Sequence, residues 1–492
     1  MSDLSIAALT APDFVDVLIV GAGLSGIGAA CHLQRECPDR RFAILEARTE
    51  IGGTWDLFRY PGIRSDSDMY TLGYQFKPWT GAKAIADGPS IMAYLRETVA
   101  ENDLRRHMRF GHRVTAAAWR SADAQWTVTV QRDDGSTQQL RCQFLLMCSG
   151  YYDYAQGHTP DFPGRQRFTG PVIHPQHWPE HLDLAGKNVV VIGSGATAVT
   201  LIPELAKQAA SVTMLQRSPT YMASRPSADA IADWLHAKLG PRRAHAVTRW
   251  KNVLWGMFIY RLAKRRPHKL KQRLIDMARS QLPAGFDVAK HFTPHYNPWD
   301  QRLCLVPDGD LFKAIRAGKA SVVTDQITRF TERGIQLASG AELPADVIVT
   351  ATGLKLKVMA GLQVQVDGRA IDAAQLVTYK GLMYGGLPNF ASVFGYTNAS
   401  WTLKADLSCQ FVCRMLNHMR KTGTRQAMAS APGPDVPLQP WVDFSSGYFQ
   451  RVIEQLPKQG ATQPWRLSQN YIADLLALRH GALGDGVLRF SN

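Results

Sequence analysis

Two glycine-rich turns, one followed by an acid and the other by an arginine, are the residues of this sequence best suited to chemistry. The stretch VDVLIVGAGLSGIGAACHL runs from an apolar strand through Gly21-x-Gly23-x-x-Gly26 into a helical pattern. In such a turn the first glycine allows the bend, the second lets a pyrophosphate reach the backbone amides, and the third lets helix and strand close up. The next apolar run, RFAILE, ends in Glu46, placed where a carboxylate accepts a hydrogen bond from a ribose hydroxyl. The pattern recurs in GKNVVVIGSGATAVTLIPELA as Gly193-x-Gly195-x-x-Ala198, and the following run, SVTMLQRS, ends in Arg217 and Ser218. A carboxylate there would repel a 2′-phosphate, whereas a guanidinium pairs with it. The first turn therefore suits FAD, and the second suits NADPH over NADH.

A third stretch, FTGPVIHPQHWP (168–179), sets His174 and His177 beside Trp178. Two histidines in a Pro-containing segment with no third ligand in view do not make a metal site. His174 is then a proton-transfer group, a hinge residue between two units, or a satisfied structural histidine. The seven cysteines are irregularly spaced, without a two-residue-gap redox pair, so they read as structural thiols.

These residues need a scaffold, and the sequence supplies its outline. QFLLMCSG (143–150) and DVIVTATG (346–353) are apolar runs that stop at Ser/Thr-Gly, one downstream of each turn. Between the first turn and its companion, QWTVTVQRDDGSTQQLRC alternates around an Asp-Gly pair and predicts a β-hairpin. The expected fold is α/β, with two nested Rossmann-like dinucleotide-binding domains. The chain leaves the FAD domain (1–149) near Gly150, builds the NADPH domain over 150–354, and returns near Gly353 into a second FAD part and C-terminal region (355–492). A helical insertion is expected at about 222–295.

Composition agrees with a globular chain, at 45% hydrophobic and 20% charged over 492 residues. The apolar window from Val15 to Leu33 holds four closely spaced glycines, which favours strand, turn and helix over a membrane span. The N-terminal MSDLSIAALTAPDF carries only acids, so no secretory signal is expected and the chain reads as cytoplasmic. The net charge of +15 is uneven: residues 238–273 hold twelve Lys or Arg and no acid, with Trp250, Trp255, Phe258 and Tyr260 interleaved. That run is either the solvated face of the helical insertion or a surface for peripheral contact with an anionic membrane. A dedicated nucleic-acid binder is not expected.

FTGPVIHPQHWP resembles the fingerprint of type I Baeyer–Villiger flavin monooxygenases, F-x-G-x-x-x-H-x-x-x-W-P, through Phe168, Gly170, His174, Trp178 and Pro179. GGTWDLFRYPGIRSD resembles a second motif of that family through Gly52, Gly53, Trp55, Tyr60, Pro61, Gly62 and Asp66. SDMYTLGYQFKPW, HYNPWDQRLCLVPDGDLF and GYTNASWTLKADL are similar to the subgroup of ethionamide-activating monooxygenases. The likeness runs from near residue 15 to at least residue 408. It implies that NADPH reduces FAD and that the reduced flavin captures O2 as a C4a-peroxide, which attacks a ketone, aliphatic by subgroup, to give an ester or lactone. Arg302, in DQRLC, is implied as the fixed cation at the reacting centre, with Asp66 orienting it and His174 coupling domain motion to the cofactor.

The resemblance also implies which residues lie along each cofactor. Ser25, Gly53, Thr54, Trp55, Asp66 and Val114 join the FAD set, and Arg64, Ser65, Ser194, Ala196 and Thr197 join the NADPH set. One departure is Gln301, where some members carry a lysine for the 2′-phosphate, so the NADPH preference rests on Arg217 and Ser218. Flavin monooxygenases that oxidise nitrogen and sulfur carry an aromatic and Lys in place of Trp178 and Pro179. Two alternatives stay open: oxygenation of sulfides, thioamides or amines, and an uncoupled NADPH oxidase that releases hydrogen peroxide.

Overall fold

A strand that is apolar along most of its length belongs inside a parallel sheet covered on both faces, and Phe14–Val20, apolar except for Asp16, occupies that place. In the computed structural model, which describes residues 14–301 and 303–492, it pairs in parallel with Phe42–Leu45 and with the second half of Thr137–Met147. Met108–Arg109 and Phe390–Ser392 extend the parallel layer at its two ends. The N-terminal residues read as lacking a secretory signal, and Arg302, lie outside the described residues.

Thr137–Met147 serves two layers. Its first half pairs antiparallel with Gln125–Arg132, completing the hairpin whose turn carries Gly135 at φ 82°. Gln125–Arg132 pairs in turn with His112–Arg120, burying Trp119 and Trp126. After the second unit the chain comes back to add Gln363–Val366 beside His112–Arg120.

The second sheet has five parallel strands in the order Ala320–Thr324, Ser211–Gln216, Asn188–Ile192, Val347–Thr350 and Val172–Ile173. All of them fall between the outgoing and returning segments of the first unit, so one Rossmann-like layer is nested in the other. The two crossing segments pair with each other: Tyr152–Gly157 runs antiparallel to Leu354–Leu356, with Leu354 opposite Gly157 and Leu356 opposite Tyr152.

The stretch 222–295 opens with a short strand, Met222–Arg225, paired in parallel with Cys304–Pro307. Helices Ala230–Arg265, Pro267–Ser280 and Val288–His291 follow. The first of these is bent at Gly240-Pro241, where Gly240 has φ 71° and the proline supplies no N–H to the helix ladder. Its inner face is tied to the core: Arg249 donates to the carbonyls of Tyr70 (2.9 Å) and Gly73 (2.8 Å), and Asn252 donates to Asp68 (2.9 Å). A long helix, Trp401–Thr422, packs on the first dinucleotide helix, Leu24–Glu36.

Candidate functional site

Both glycine turns open into one cavity of about 920 Å³. At the first, Gly21 has φ +104°, and a Cβ there would lie 2.7 Å from the Cys148 carbonyl oxygen. Gly26 is a packing glycine, because a Cβ would fall 1.8 Å from the Gly21 oxygen, and it does not line the cavity. Gly23 does, and its Cβ position lies 3.5 Å from the Gly53 Cα. Two backbone turns thus meet in a cradle that side chains would fill, which fits a pyrophosphate. Buried Glu46 is fixed at the cavity wall by the amides of Ala22 (2.8 Å) and Arg48 (2.9 Å), and each oxygen keeps capacity for a ribose hydroxyl. Ser25, Thr54, Trp55 and Val114 also line the cavity. Beside them, the Tyr154 hydroxyl lies 3.3 Å from Thr54 Oγ1, and burial pushes its pKa up to about 12, so it remains a neutral phenol.

The second turn repeats the device. Gly193 has φ +137°, with a Cβ position 2.3 Å from the Ala351 oxygen, and no atom lies within 4 Å of a Cβ on Gly195. In both copies, then, the first glycine abuts the end of its companion strand. Gly193, Ser194, Gly195, Ala196, Thr197, Arg217 and Gln301 line the cavity. Ala198 is instead buried in the core of the second unit. Ser218 stands off the cavity wall, and its carbonyl accepts from the Ser194 hydroxyl at 3.1 Å. The walls fit a second dinucleotide, and they carry the Arg217 guanidinium.

GGTWDLFRYPGIRSD physically spans the two cradles. Gly53 faces Gly23, while Tyr60 packs against the core of the second unit. Gly62, at φ +73°, leaves only 2.3 Å between a Cβ and Glu204 Cγ on the second dinucleotide helix. Arg64 forms an ion pair with Asp310 of the second unit, and Arg64, Ser65 and Asp66 all line the cavity. The Arg64 guanidinium is therefore engaged within the protein as well as facing the cofactor cleft. Burial holds the Tyr60 phenol well above its ordinary pKa.

His174 does not line the cavity. It sits where the crossing segments pair, its Nδ1 accepting from the Gln176 amide (3.1 Å), so Nε2 carries the proton and donates to the Gly353 carbonyl (3.1 Å). Burial keeps its pKa below the usual histidine value. Gln176 donates to the Asp153 carbonyl (2.9 Å), and His177 reaches that of Ala155 (3.1 Å). The segment 174–177 is thus fastened along the outgoing strand Tyr152–Gly157. His177, which is outside the fingerprint, shares in this fastening.

Sequence reasoning left several cavity residues unassigned. Trp401 donates to Ser25 Oγ (2.7 Å) and stacks on Tyr151 with centroids 5.4 Å apart. Ser446, Gly447, Tyr448 and Arg451 come from the C-terminal region, and Arg451 donates to the Leu354 carbonyl (3.1 Å). Trp401 lay within a family-like motif, GYTNASWTLKADL, but residues 446–451 have no local signal that marks them.

Comparison with known proteins identifies this arrangement. A family model described as flavin-binding monooxygenase-like matches residues 85–382, and one described as an NAD(P)-binding Rossmann-like domain matches residues 19–97. FAD-containing monooxygenase EthA of Mycobacterium tuberculosis (strain ATCC 25618 / H37Rv) is 54% identical over 480 residues, which span 97% of this chain and 98% of EthA. A solved oxidized steroid monooxygenase bound to NADP superposes with a TM-score of 0.71 at 25% identity, covering 85% of this chain and 88% of that one. The OTEMO complex with FAD and NADP shares the fold, with a TM-score of 0.69 at 23% identity over 85% of this chain and 88% of its own. With two dinucleotide cradles facing one cavity and relatives along nearly its whole length, the chain belongs to the flavin-binding monooxygenase-like family, as an FAD- and NADPH-dependent monooxygenase.

Proposed function

We propose that the chain inserts one atom of O2 beside the carbonyl of a ketone, aliphatic by preference, giving an ester or lactone while NADPH is oxidised and the second oxygen atom leaves as water. The observation that carries this reading is the fastening of the fingerprint segment, His174 to His177, onto the strand that links the two cofactor units. FAD supplies the redox chemistry and O2 activation when bound, and Gly21, Gly23, Glu46, Gly53, Thr54 and Trp55 hold it. Ser194, Thr197 and Arg217 hold the nicotinamide dinucleotide, with Arg217 on the 2′-phosphate. The division of the chain at 149/150 and 354/355 belongs to the same proposal.

In this scheme Arg302 stabilises negative charge at the reacting centre, since a guanidinium donates hydrogen bonds without losing its own proton near neutral pH. Asp66, on the cavity wall, orients it. His174 acts away from the reacting atoms, as a positioning residue that holds the crossing segments together. Product balance tests the whole reading: ester, sulfoxide and hydrogen peroxide per NADPH consumed, with a medium-chain 2-ketone and a simple sulfide in air. Ester that tracks NADPH is expected, whereas sulfoxide without ester or peroxide alone overturns it. Arg302→Ala is expected to keep NADPH-driven flavin reduction and to lose ester formation, and unchanged ester formation would remove Arg302 from the scheme.

A further inference from the structure

Large apolar side chains at a protein surface are normally scattered. Here they are gathered. Of the ten large hydrophobic residues exposed among the described residues, eight lie on the bent helix Ala230–Arg265. Ile231 (57% exposed) and Trp234 (60%) stand before the bend, and Trp255 (61%) and Phe258 (56%) after it. Val247, Trp250, Leu254 and Phe258 follow the spacing of one helical face, and that face is turned away from the core that Arg249 and Asn252 grip. No helix among the described residues is long and apolar enough to cross a membrane, so an apolar stripe of this kind can only lie flat on whatever covers it.

We infer that this face seats the protein on an anionic lipid surface, with the helix lying in the interfacial plane. Charge selects the occupant. Lys238, Arg242 and Arg243 flank the bend, and Arg261, Arg265 and Arg266 follow the apolar stripe, in a stretch with no acid from Lys238 to Arg273. Tryptophan and phenylalanine beside lysine and arginine are what an interfacial helix requires: rings at the acyl boundary and cations at the headgroup phosphates. A second copy of the chain would bring equal rows of cations face to face in a twofold contact. A nucleic acid would leave the aliphatic Val247 and Leu254 against phosphate and water.

The stripe also has a route to the chemistry. Asn252 and Arg249 bond to Asp68, Tyr70 and Gly73, next to Asp66, Ser67 and Leu72 of the cavity wall. A helix seated on lipid thus bears on a segment of the cofactor-cavity wall.

Vesicle flotation of the FAD-loaded enzyme tests the inference without reference to any substrate. Binding is expected to phosphatidylcholine vesicles containing phosphatidylglycerol, weaker by about tenfold or more for phosphatidylcholine alone or at high salt. The variant L254S/W255S/F258S should lose about tenfold in vesicle affinity with unchanged flavin absorbance and NADPH oxidation. Absence of flotation, equal flotation of the variant, or a concentration-dependent dimer that the variant abolishes would each overturn the proposal.

Discussion

On the first dinucleotide helix, His32 is buried between Glu36 (2.9 Å) and Asp406 (3.2 Å). Burial works to lower its pKa, but the hydrogen bonds to Asp406 and Glu36 outweigh it and raise the value to about 9. A folded-state pKa above the unfolded one gives stability that is fully present below pH ~6.5 and fades as pH rises through about 9. That stability is on the order of 3 kcal/mol. His32→Gln should therefore lower the melting temperature more at pH 6 than at pH 9.5, and a pH-independent difference would contradict the ion-pair account. Arg217 gives the second prediction at this scale. Arg217→Ala is expected to raise KM for NADPH about tenfold, the loss of one charge-assisted contact, and to leave NADH use unchanged; an equal loss with both would mean Arg217 is not at the 2′-phosphate. The places of Glu46 and Arg217 on the cavity wall were legible in the sequence because each directly follows the strand that comes after a glycine turn. The carbonyl that accepts the His174 Nε2 proton was not, since Gly353 lies 179 positions away and no periodicity connects them.

At the level of elements, the strand-turn-helix units and the hairpin were readable because backbone geometry imposes them locally. The pairing of Tyr152–Gly157 with Leu354–Leu356 was not, because it depends on two segments meeting after the whole second sheet has formed between them. Gly157 shows how tight that meeting is: a Cβ there would lie 1.9 Å from His174 Cε1. Gly157→Ala must displace the imidazole, at a cost of about 1–3 kcal/mol, and so loosen its bond to Gly353. If the fastened segment couples the two cofactor units, this variant should bind FAD normally yet yield more hydrogen peroxide per NADPH than the parent. A folded variant with unchanged product balance would reduce the fastening to a structural detail. The bend at Gly240-Pro241 follows from residue types visible in the sequence, but which face of the helix lies outward depends on Arg249 reaching the carbonyls of Tyr70 and Gly73.

Across the whole molecule, the GGTWDLFRYPGIRSD segment is the part that makes two nested units act on one cavity. It touches the first cradle through Gly53, the core of the second unit through Tyr60, its dinucleotide helix through Gly62, and the more distant Asp310 through Arg64. The C-terminal residues Ser446, Gly447, Tyr448 and Arg451 complete the same cavity from outside both fingerprints, and they were invisible to sequence reasoning because only the assembled fold brings them there. The Arg64–Asp310 pair offers a direct test of whether the bridge couples the units or only joins them. Arg64 is largely buried, its Nε has no hydrogen-bond partner, and Asp310 is its only ion-pair partner among the described residues. Asp310→Asn keeps the shape but leaves the guanidinium uncompensated, costing about 1–3 kcal/mol once the partial exposure of Asp310 is allowed for. If the bridge sets the alignment of NADPH against FAD, the rate of flavin reduction should fall about tenfold, which is ~1.4 kcal/mol of lost alignment, with FAD affinity unchanged. A lowered melting temperature with an unaltered reduction rate would show that the pair serves stability alone, and that alignment is set elsewhere in the cavity.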